Sequence, residues 1–250
     1  NAGAFVSLLN TEMQSLIKSS AFNFGRMLFG DGNGRLAAIR TMEEGVISID
    51  TPNNIVEGMM IEICDSEGIP VEGIGPRRVV SVNREEKTVK VSGETIDDQL
   101  IPTYSYLVMQ GSYGKELTGL GAIFSTRQNT IYGADKTSHA ILNPFIYPLN
   151  NNISENDIQY ALDKIEVRSG NKVNFIICSL GVRRALLNLF NSRKMYINTV
   201  ELEGGYQAIN FNGIPIVADR FCPDGTMYLL NTNDFTLNQL CDWQWLTGDD

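Results

Sequence analysis

The stretch NFGRMLFGDGNGRLAAI, residues 23–39, lies where the sequence predicts the first change of secondary structure. Before it, apolar residues recur every three or four positions, which is typical of one face of an amphipathic helix. That stripe consists of Val6, Leu9, Met13, Leu16 and Ile17 and continues through Phe24, Met27 and Leu28. We expect a helix from about Ala4 to Phe29, about 40 Å long, that lies across the body of a broad, flat domain. Gly30 ends it, and turn-forming residues follow over 31–34.

A glycine-rich turn can also bind phosphate, but this one has the wrong spacing and the wrong neighbours. A dinucleotide-binding turn has the pattern G-x-G-x-x-G, follows a strand and opens a helix. Here Gly30, Gly32 and Gly34 give G-x-G-x-G, after a helix and before a strand. A helix C-terminus disfavours phosphate, and no Gly-Lys-Ser/Thr follows. The loop also has too few carboxylates for calcium. We interpret the turn as structural: it stops a helix and leads into a sheet.

From Gly45 to about Gln110 the apolar pattern changes to a period of two, which predicts strands. The segments GMMIEICD, RRVVSVN and KTVKVSG each alternate in this way. In the second segment, alternation places Val80 and Val82 on one face and Val79 on the other. Four or five short strands separated by turn residues predict a small barrel or meander. We interpret residues 45–110 as an inserted β-rich module.

Residues 113–153 show little periodicity, which in a compact domain is typical of an interaction or binding segment. From residue 154 the pattern is α/β. Ser154 and Asp157 predict a capping box at the start of a helix, which KVNFIIC follows as a buried strand. Asn212-Gly213 between two apolar runs predicts a hairpin, and Pro215 places one of its strands at an edge or a bulge.

A second helix in this lobe begins after Ser179 and has one apolar and one basic face. The inward residues are Val182, Ala185, Leu186, Leu189 and Phe190. The outward residues are Arg183, Arg184, Arg193 and Lys194. A basic outward face either keeps the helix soluble or contacts an acidic neighbouring subunit, so these four residues are the candidate subunit-interface residues.

Composition excludes several classes of function. The 250 residues carry a formal net charge of -9, which argues against a large phosphate-neutralising surface. No apolar run approaches the roughly 20 residues of a membrane span. One histidine, His139, excludes a His-rich metal site, and we expect it in a loop or at the surface. The four cysteines have no CxxC pair, which is typical of small core residues in a reducing compartment.

No catalytic constellation emerges from the sequence, and we predict no catalytic, cofactor-binding or metal-binding residues and no enzyme activity. Ser179 lies between a strand and a helix, but Ile177 stands where a nucleophile elbow has glycine. Cys178 ends a buried strand without a charged neighbour to lower its pKa. The paired acids, such as Glu85-Glu86, are interpreted as solvated loops.

Several stretches, in their order and spacing, resemble the major capsid protein family of tailed bacteriophages, whose shell fold is shared with encapsulin nanocompartments. The helix end reads FGRMLFGDGNG, and the segments GSYGKELTGLGAIF and TIYGADKTSHAILNP resemble the family's link between domains. The segment GIPIVADRFCPDGTMYLLNTNDFTL resembles the family's late hairpin, and DWQWL resembles the Trp-containing stretch that follows it. The likeness spans most of the chain.

The resemblance implies an α+β fold with a long spine helix, an inserted small barrel or meander and a separate α/β lobe. Residues 1–44 and 111–153 would form a peripheral-type domain with the spine helix, and the last part of that domain would be missing after residue 240. Residues 45–110 would be the insertion and 154–240 an axial-type domain. Family members carry an arm or scaffolding segment before the helix and further elements after the tryptophans, so we expect a trimmed core. No Lys–Asn crosslinking pair of the family can be matched.

The resemblance also implies a function: a structural virion protein that self-assembles into hexamers and pentamers and closes an icosahedral shell. Its partners would be copies of itself, with scaffold, portal and decoration proteins. It would enclose DNA without sequence-specific binding, contact no membrane, and assemble in the cytoplasm of a bacterial host. The alternatives are an encapsulin-like compartment, a β-barrel ligand-binding or adhesive module, and last a hydrolase using Ser179. An exposed aromatic cluster would favour the adhesive module, yet residues 45–110 contain only Tyr104 and Tyr106 as aromatics.

Overall fold

The computed structural model describes residues 2–43, 45–150, 152–192, 199–202, 206–236, 238–242 and 244. The chain mixes helices and strands, which confirms the predicted α+β class. It divides into two compact units, Asn1–Ile146 and Tyr147–Asp250. The finer division into peripheral-type, inserted and axial-type domains stays a prediction.

The described residues of the first unit form two α-helices and eight strands. The helices are α1 (Ala2–Phe29) and α2 (Leu120–Ile123). The strands are β1 (Arg35–Glu43), β2 (Val46–Ile49), β3 (Met60–Cys64), β4 (Arg77–Asn83), β5 (Thr88–Val91), β6 (Tyr106–Met109), β7 (Thr130–Ile131) and β8 (Ala134–Asp135). The predicted first helix is therefore confirmed, including its end at Phe29.

Strands β1 to β6 close into an antiparallel barrel in the order β1-β2-β5-β4-β3-β6. Inward-facing aliphatic side chains fill it; among the most buried are Leu36, Ile47, Ile49, Ile61, Val89 and Leu107. The barrel begins at Arg35, before the predicted lower boundary at Gly45. A strand was expected after the glycine turn, but it was not assigned to the barrel. In the structure the pairing of this strand with β6 shifts register between Arg35 and Ala37, and Leu36 and Ala37 are both buried.

The predicted faces of β4 are wrong at one position. Val79 and Val82 are both buried, whereas Val80 is exposed. The register of β4 against β5 shifts between Val79 and Ser81, so an extra residue enters the strand there. A bulge of this kind turns the following side chains to the other face, which strict alternation does not anticipate.

In the second unit, the part of the chain that the structure describes forms a five-stranded sheet and two α-helices. The helices are α3 (Glu155–Ser169) and α4 (Leu180–Ser192). The strands are β9 (Phe175–Cys178), β10 (Thr199–Leu202), β11 (Tyr206–Phe211), β12 (Ile214–Ala218) and β13 (Met227–Leu230). The sheet order is β10-β11-β12-β9-β13, with only β12 and β9 parallel. Its core combines residues of both helices and the sheet, including Ile158, Ile176, Leu186, Phe190, Phe211 and Ile216.

Two local predictions in this unit are confirmed. The Ser154 hydroxyl accepts the Asp157 backbone N–H at 3.3 Å, and the Asp157 carboxylate accepts the Ser154 N–H at 2.9 Å, which completes the capping box. Asn212 and Gly213 both have positive φ, 51° and 87°, as the two-residue turn between β11 and β12 requires.

Two other predictions are wrong. Pro215 lies on β12, which is an inner strand between β11 and β9. The proline stands opposite Asn210 of β11, and the pairing of β12 with β9 begins only after it, at Ile216. Ala185 is exposed, because the apolar face of α4 turns toward Leu186 and Phe190.

Candidate interaction surface

The N-terminal two-thirds of α1 present an apolar stripe to solvent. Between Val6 and Ala21 every side chain is exposed except those of Met13 and Ser20, which are half-buried. Val6, Leu9, Leu16 and Ile17 keep 55%, 48%, 55% and 57% of their surface accessible. We call Val6, Leu9, Met13, Leu16 and Ile17 the α1 stripe. The expectation that this helix lies across the body of its domain is met only at its C-terminal end.

The C-terminal end of α1 is held by a buried ion pair. The Arg26 guanidinium donates to both carboxylate oxygens of Glu116, at 2.7 and 2.6 Å, and its Nε donates to Asn23 Oδ1 at 3.0 Å. The two charged side chains are only 3% and 5% exposed. Paired, doubly hydrogen-bonded charges of this kind fix geometry strongly, because either one alone would be buried without compensation.

Backbone-to-backbone packing reinforces the ion pair. A Cβ at Gly119 would lie 2.4 Å from the carbonyl oxygens of Met27 and Leu28, and one at Gly121 would lie 2.8 Å from that of Phe29. Only glycine allows α2 to approach the last turn of α1 this closely. The segment that follows the barrel therefore anchors α1 by its end and leaves the α1 stripe uncovered.

The glycine turn after α1 is closed by its own side chains. The Asp31 carboxylate accepts the backbone N–H of Asn33 at 3.0 Å and its side-chain amide at 2.9 Å. Gly34, at φ 77°, lies so close to Ser112 that a Cβ would come within 2.8 Å of its carbonyl oxygen. These contacts accord with the structural interpretation of the turn.

A second buried charge organises the irregular segment. The Lys136 ammonium, in a residue only 4% exposed, donates to the carbonyl oxygens of Ala122 at 3.2 Å, Ile123 at 3.5 Å and Ser125 at 3.0 Å. It thereby satisfies carbonyls at the end of α2, where a cation is favoured. Sequence reasoning missed both Lys136 and the Arg26–Glu116 pair, because no local pattern distinguishes them from surface charges.

The predicted interface residues lie in the second unit. Arg183 and Arg184 are exposed near the start of α4, as expected of an outward face. Arg193 and Lys194 lie outside the described residues, as do Trp243 and Trp245 of the DWQWL stretch. The structure thus places two of the four predicted interface residues side by side on one helix.

Residues that were considered for chemistry have structural surroundings. The buried Ser179 hydroxyl accepts the backbone N–H of Val182 at 3.4 Å and of Gly225 at 3.2 Å, so it caps α4 and holds a turn. Burial raises the pKa of the Cys178 thiol to about 11, far from the range of a reactive thiolate. His139 is exposed, as predicted.

Cys64, Cys178 and Cys222 are buried, but Cys241 is exposed, which the prediction of core cysteines did not include. Among the described residues, no group of three or more His, Cys, Asp and Glu side chains could hold a metal ion. Within the same part of the chain, no helix is both long and apolar enough to cross a bilayer.

The aromatic residues of the barrel do not form an exposed pair. Tyr104 is 76% exposed, whereas the ring of Tyr106 lies under the Arg35 guanidinium, whose central carbon is 3.9 Å from the ring centroid. Arg35 also donates to the Ser66 carbonyl at 3.0 Å, which holds it in place over the ring. A stacking platform for a ligand would need both rings accessible.

Comparisons with protein-family models, with curated proteins and with solved structures find no match to this chain.

Proposed function

We propose that this protein is a structural subunit that assembles with copies of itself into a closed shell, as the major capsid protein of a tailed bacteriophage or prophage. The α1 stripe is the observation that carries the proposal. An exposed apolar face along a helix is typical of a protein–protein contact, because single exposed apolar residues are common on a surface but a continuous row of them is not.

The way α1 is fixed supports the same proposal. The helix is 28 residues long, about 42 Å, and its last turns are held by the Arg26–Glu116 pair and by close packing at Gly119 and Gly121. A helix that is anchored at one end and carries an apolar stripe along the rest presents a preorganised surface. Preorganisation reduces the entropy lost on association, which suits a contact that must be repeated in every subunit.

The net charge of -9 is compatible with a container for DNA. A strongly basic inner surface would bind the enclosed duplex tightly, whereas an acidic protein encloses it without specific contacts. Heterologous contacts around a ring would generate the hexamers and pentamers of a shell, with scaffold, portal and decoration proteins as further partners. Assembly would take place in the cytoplasm of the bacterial host, and the finished location would be the virion.

Light scattering after gel filtration and negative-stain microscopy test the proposal. We expect the chain to form large particles or ring-shaped capsomers as its concentration rises. Leu16→Glu, which places a charge in the α1 stripe, should reduce assembly, whereas Ser15→Glu adds the same charge away from the stripe and should not. Monomers at every concentration and salt, or equal effects of both variants, would contradict the proposal.

The contents of any particle distinguish the related possibilities. Co-purifying DNA after expression with the portal and scaffold would favour a capsid, and a co-purifying cargo protein would favour an encapsulin-like compartment. A soluble monomer that binds saccharide through the face containing Tyr104 would instead favour the adhesive module.

A further inference from the structure

The α1 stripe has the spacing of a short coiled coil. Val6, Leu9, Met13 and Leu16 are separated by three, four and three residues, which is the a-d-a-d pattern of two successive heptads. The next two positions in this series are Ser20 and Asn23, both polar. Asn23 already accepts a hydrogen bond from Arg26 at 3.0 Å. The apolar series therefore stops where packing within the first unit begins.

We propose that the α1 stripe pairs with the α1 stripe of a second copy of this chain, as a parallel, in-register, two-stranded coiled coil over residues 6–17. The inference rests on the proposed self-association and names the surface that each copy contacts. Val at the first a position and Leu at both d positions favour two parallel strands.

The charges of α1 allow this pairing. Glu12 and Lys18 are the only charged residues between Val6 and Ala21. In the heptad frame Glu12 occupies position g, and a parallel partner brings the apolar Ile17 at position e next to it. Lys18 occupies position f and points away from the partner. A parallel pair therefore brings no like charges together.

The size of the surface explains why a second copy fits better than a tightly bound foreign partner. Residues 6–17 span about 17 Å of helix, and a helix is about 10 Å across. Two such surfaces bury several hundred Å², which is below the roughly 1,200 Å² of a stable, isolated interface. A contact of this size becomes effective when other contacts already hold the two chains close, as in an assembly of identical subunits.

Disulfide trapping in the full chain tests the pairing. Cys241, the exposed thiol, is first changed to serine so that Leu9→Cys, Leu16→Cys or Ser15→Cys supplies the reactive thiol. In an in-register parallel pair each d position faces its own copy, so Leu9→Cys and Leu16→Cys should give a disulfide-linked dimer on mild oxidation. Ser15→Cys is the matched control, because it adds the same thiol one residue away but outside the α1 stripe. We expect roughly tenfold less dimer from this control at equal protein concentration.

Each outcome decides something. Equal disulfide trapping at all three positions, or none at Leu9 and Leu16, overturns the pairing. Trapping that occurs only between a Val6→Cys chain and a Leu16→Cys chain overturns the parallel orientation. Particles in the microscope without selective trapping overturn the pairing but leave the proposed function standing. Selective dimers that never grow into larger assemblies support the pairing and overturn the shell.

Discussion

Replacing Arg26 by methionine should unfold the anchor of α1. The change keeps most of the side-chain volume but removes two hydrogen bonds to Glu116, at 2.6 and 2.7 Å, and one to Asn23 at 3.0 Å. It leaves the Glu116 carboxylate, only 5% exposed, without a counterion. Breaking a buried pair from one side costs about 3–5 kcal/mol, because the remaining charge is neither solvated nor paired. We expect a loss of this size in the stability of the first unit.

Two further variants separate charge from packing. The double variant Arg26→Met/Glu116→Leu removes both charges and leaves an apolar contact, so it should be less destabilised than Arg26→Met alone. Arg84→Met is the matched control, because Arg84 lies 3.6 Å from Glu57 in a pair that is about half exposed. An exposed pair contributes about 0–1 kcal/mol, so this control should have little effect.

Hydrogen exchange is the appropriate measurement, since two units need not unfold in one transition and a single global free energy is then undefined. Exchange read by mass spectrometry on peptides covering residues 20–30 and 111–124 reports the local opening of the anchor. A loss of protection in Arg26→Met no greater than in Arg84→Met would refute the reasoning, as would a double variant less stable than the single.

Three further predictions concern packing, thiols and a helix cap. Gly119→Ala should weaken the docking of α2 on α1, because the new Cβ would meet backbone oxygens at 2.4 Å. Gly181→Ala, where the Cβ enters open space on α4, should instead stabilise the protein by about 0.4–1 kcal/mol. Equal melting temperatures for the two variants would contradict this prediction. A thiol reagent at pH 8 should label Cys241 alone in the folded protein. Burial protects the thiols of Cys64, Cys178 and Cys222, and it raises the pKa of Cys222 to about 12. Rapid labelling of a buried thiol, detected by mass spectrometry, would contradict this prediction. Ser154→Ala should destabilise α3 by about 1 kcal/mol, measured by urea unfolding. Hydrogen bonds from the Ser154 hydroxyl and N–H lower the pKa of the Asp157 carboxyl. The contribution of that carboxylate to folding stability is therefore present above its ordinary pKa of 3.8 and is lost as the pH falls through the lowered value. An NMR titration that gives Asp157 a pKa at or above 3.8 would contradict this prediction.

The parts of the fold that local chemistry determines were predictable. The end of α1 at Phe29, the capping box at Ser154 and the turn at Asn212-Gly213 each follow from neighbouring residues whose preferences agree. The sequence predicted a small barrel or a meander without choosing between them. Alternation of apolar residues indicates strands, but it does not indicate whether the first and last strands pair. Closure depends on the pairing of β1 with β6, which joins residues about 70 apart in the sequence.

The anchor of α1 was not predictable, since its two charged residues are separated by 90 positions. Nothing near Arg26 or Glu116 marks either residue as buried, and charged residues are rarely fully buried unless paired. The bulge at Val80 was not predicted for a different reason. Strict alternation assumes that successive residues face opposite sides of the strand, and a bulge adds one residue that breaks this order. The α1 stripe was visible in the sequence, but its exposure was not, because the same periodicity describes a helix packed on its own domain.

Closure of the barrel affects how the first unit tolerates crowding. An open sheet ends in strands whose free N–H and C=O groups can recruit strands of other molecules. Because β1 pairs with β2 on one side and β6 on the other, none of the six barrel strands is left with an unpaired side. Substitutions that separate β1 from β6 would therefore do more than destabilise a module: they would expose templates for amyloid-like growth wherever copies are densely concentrated.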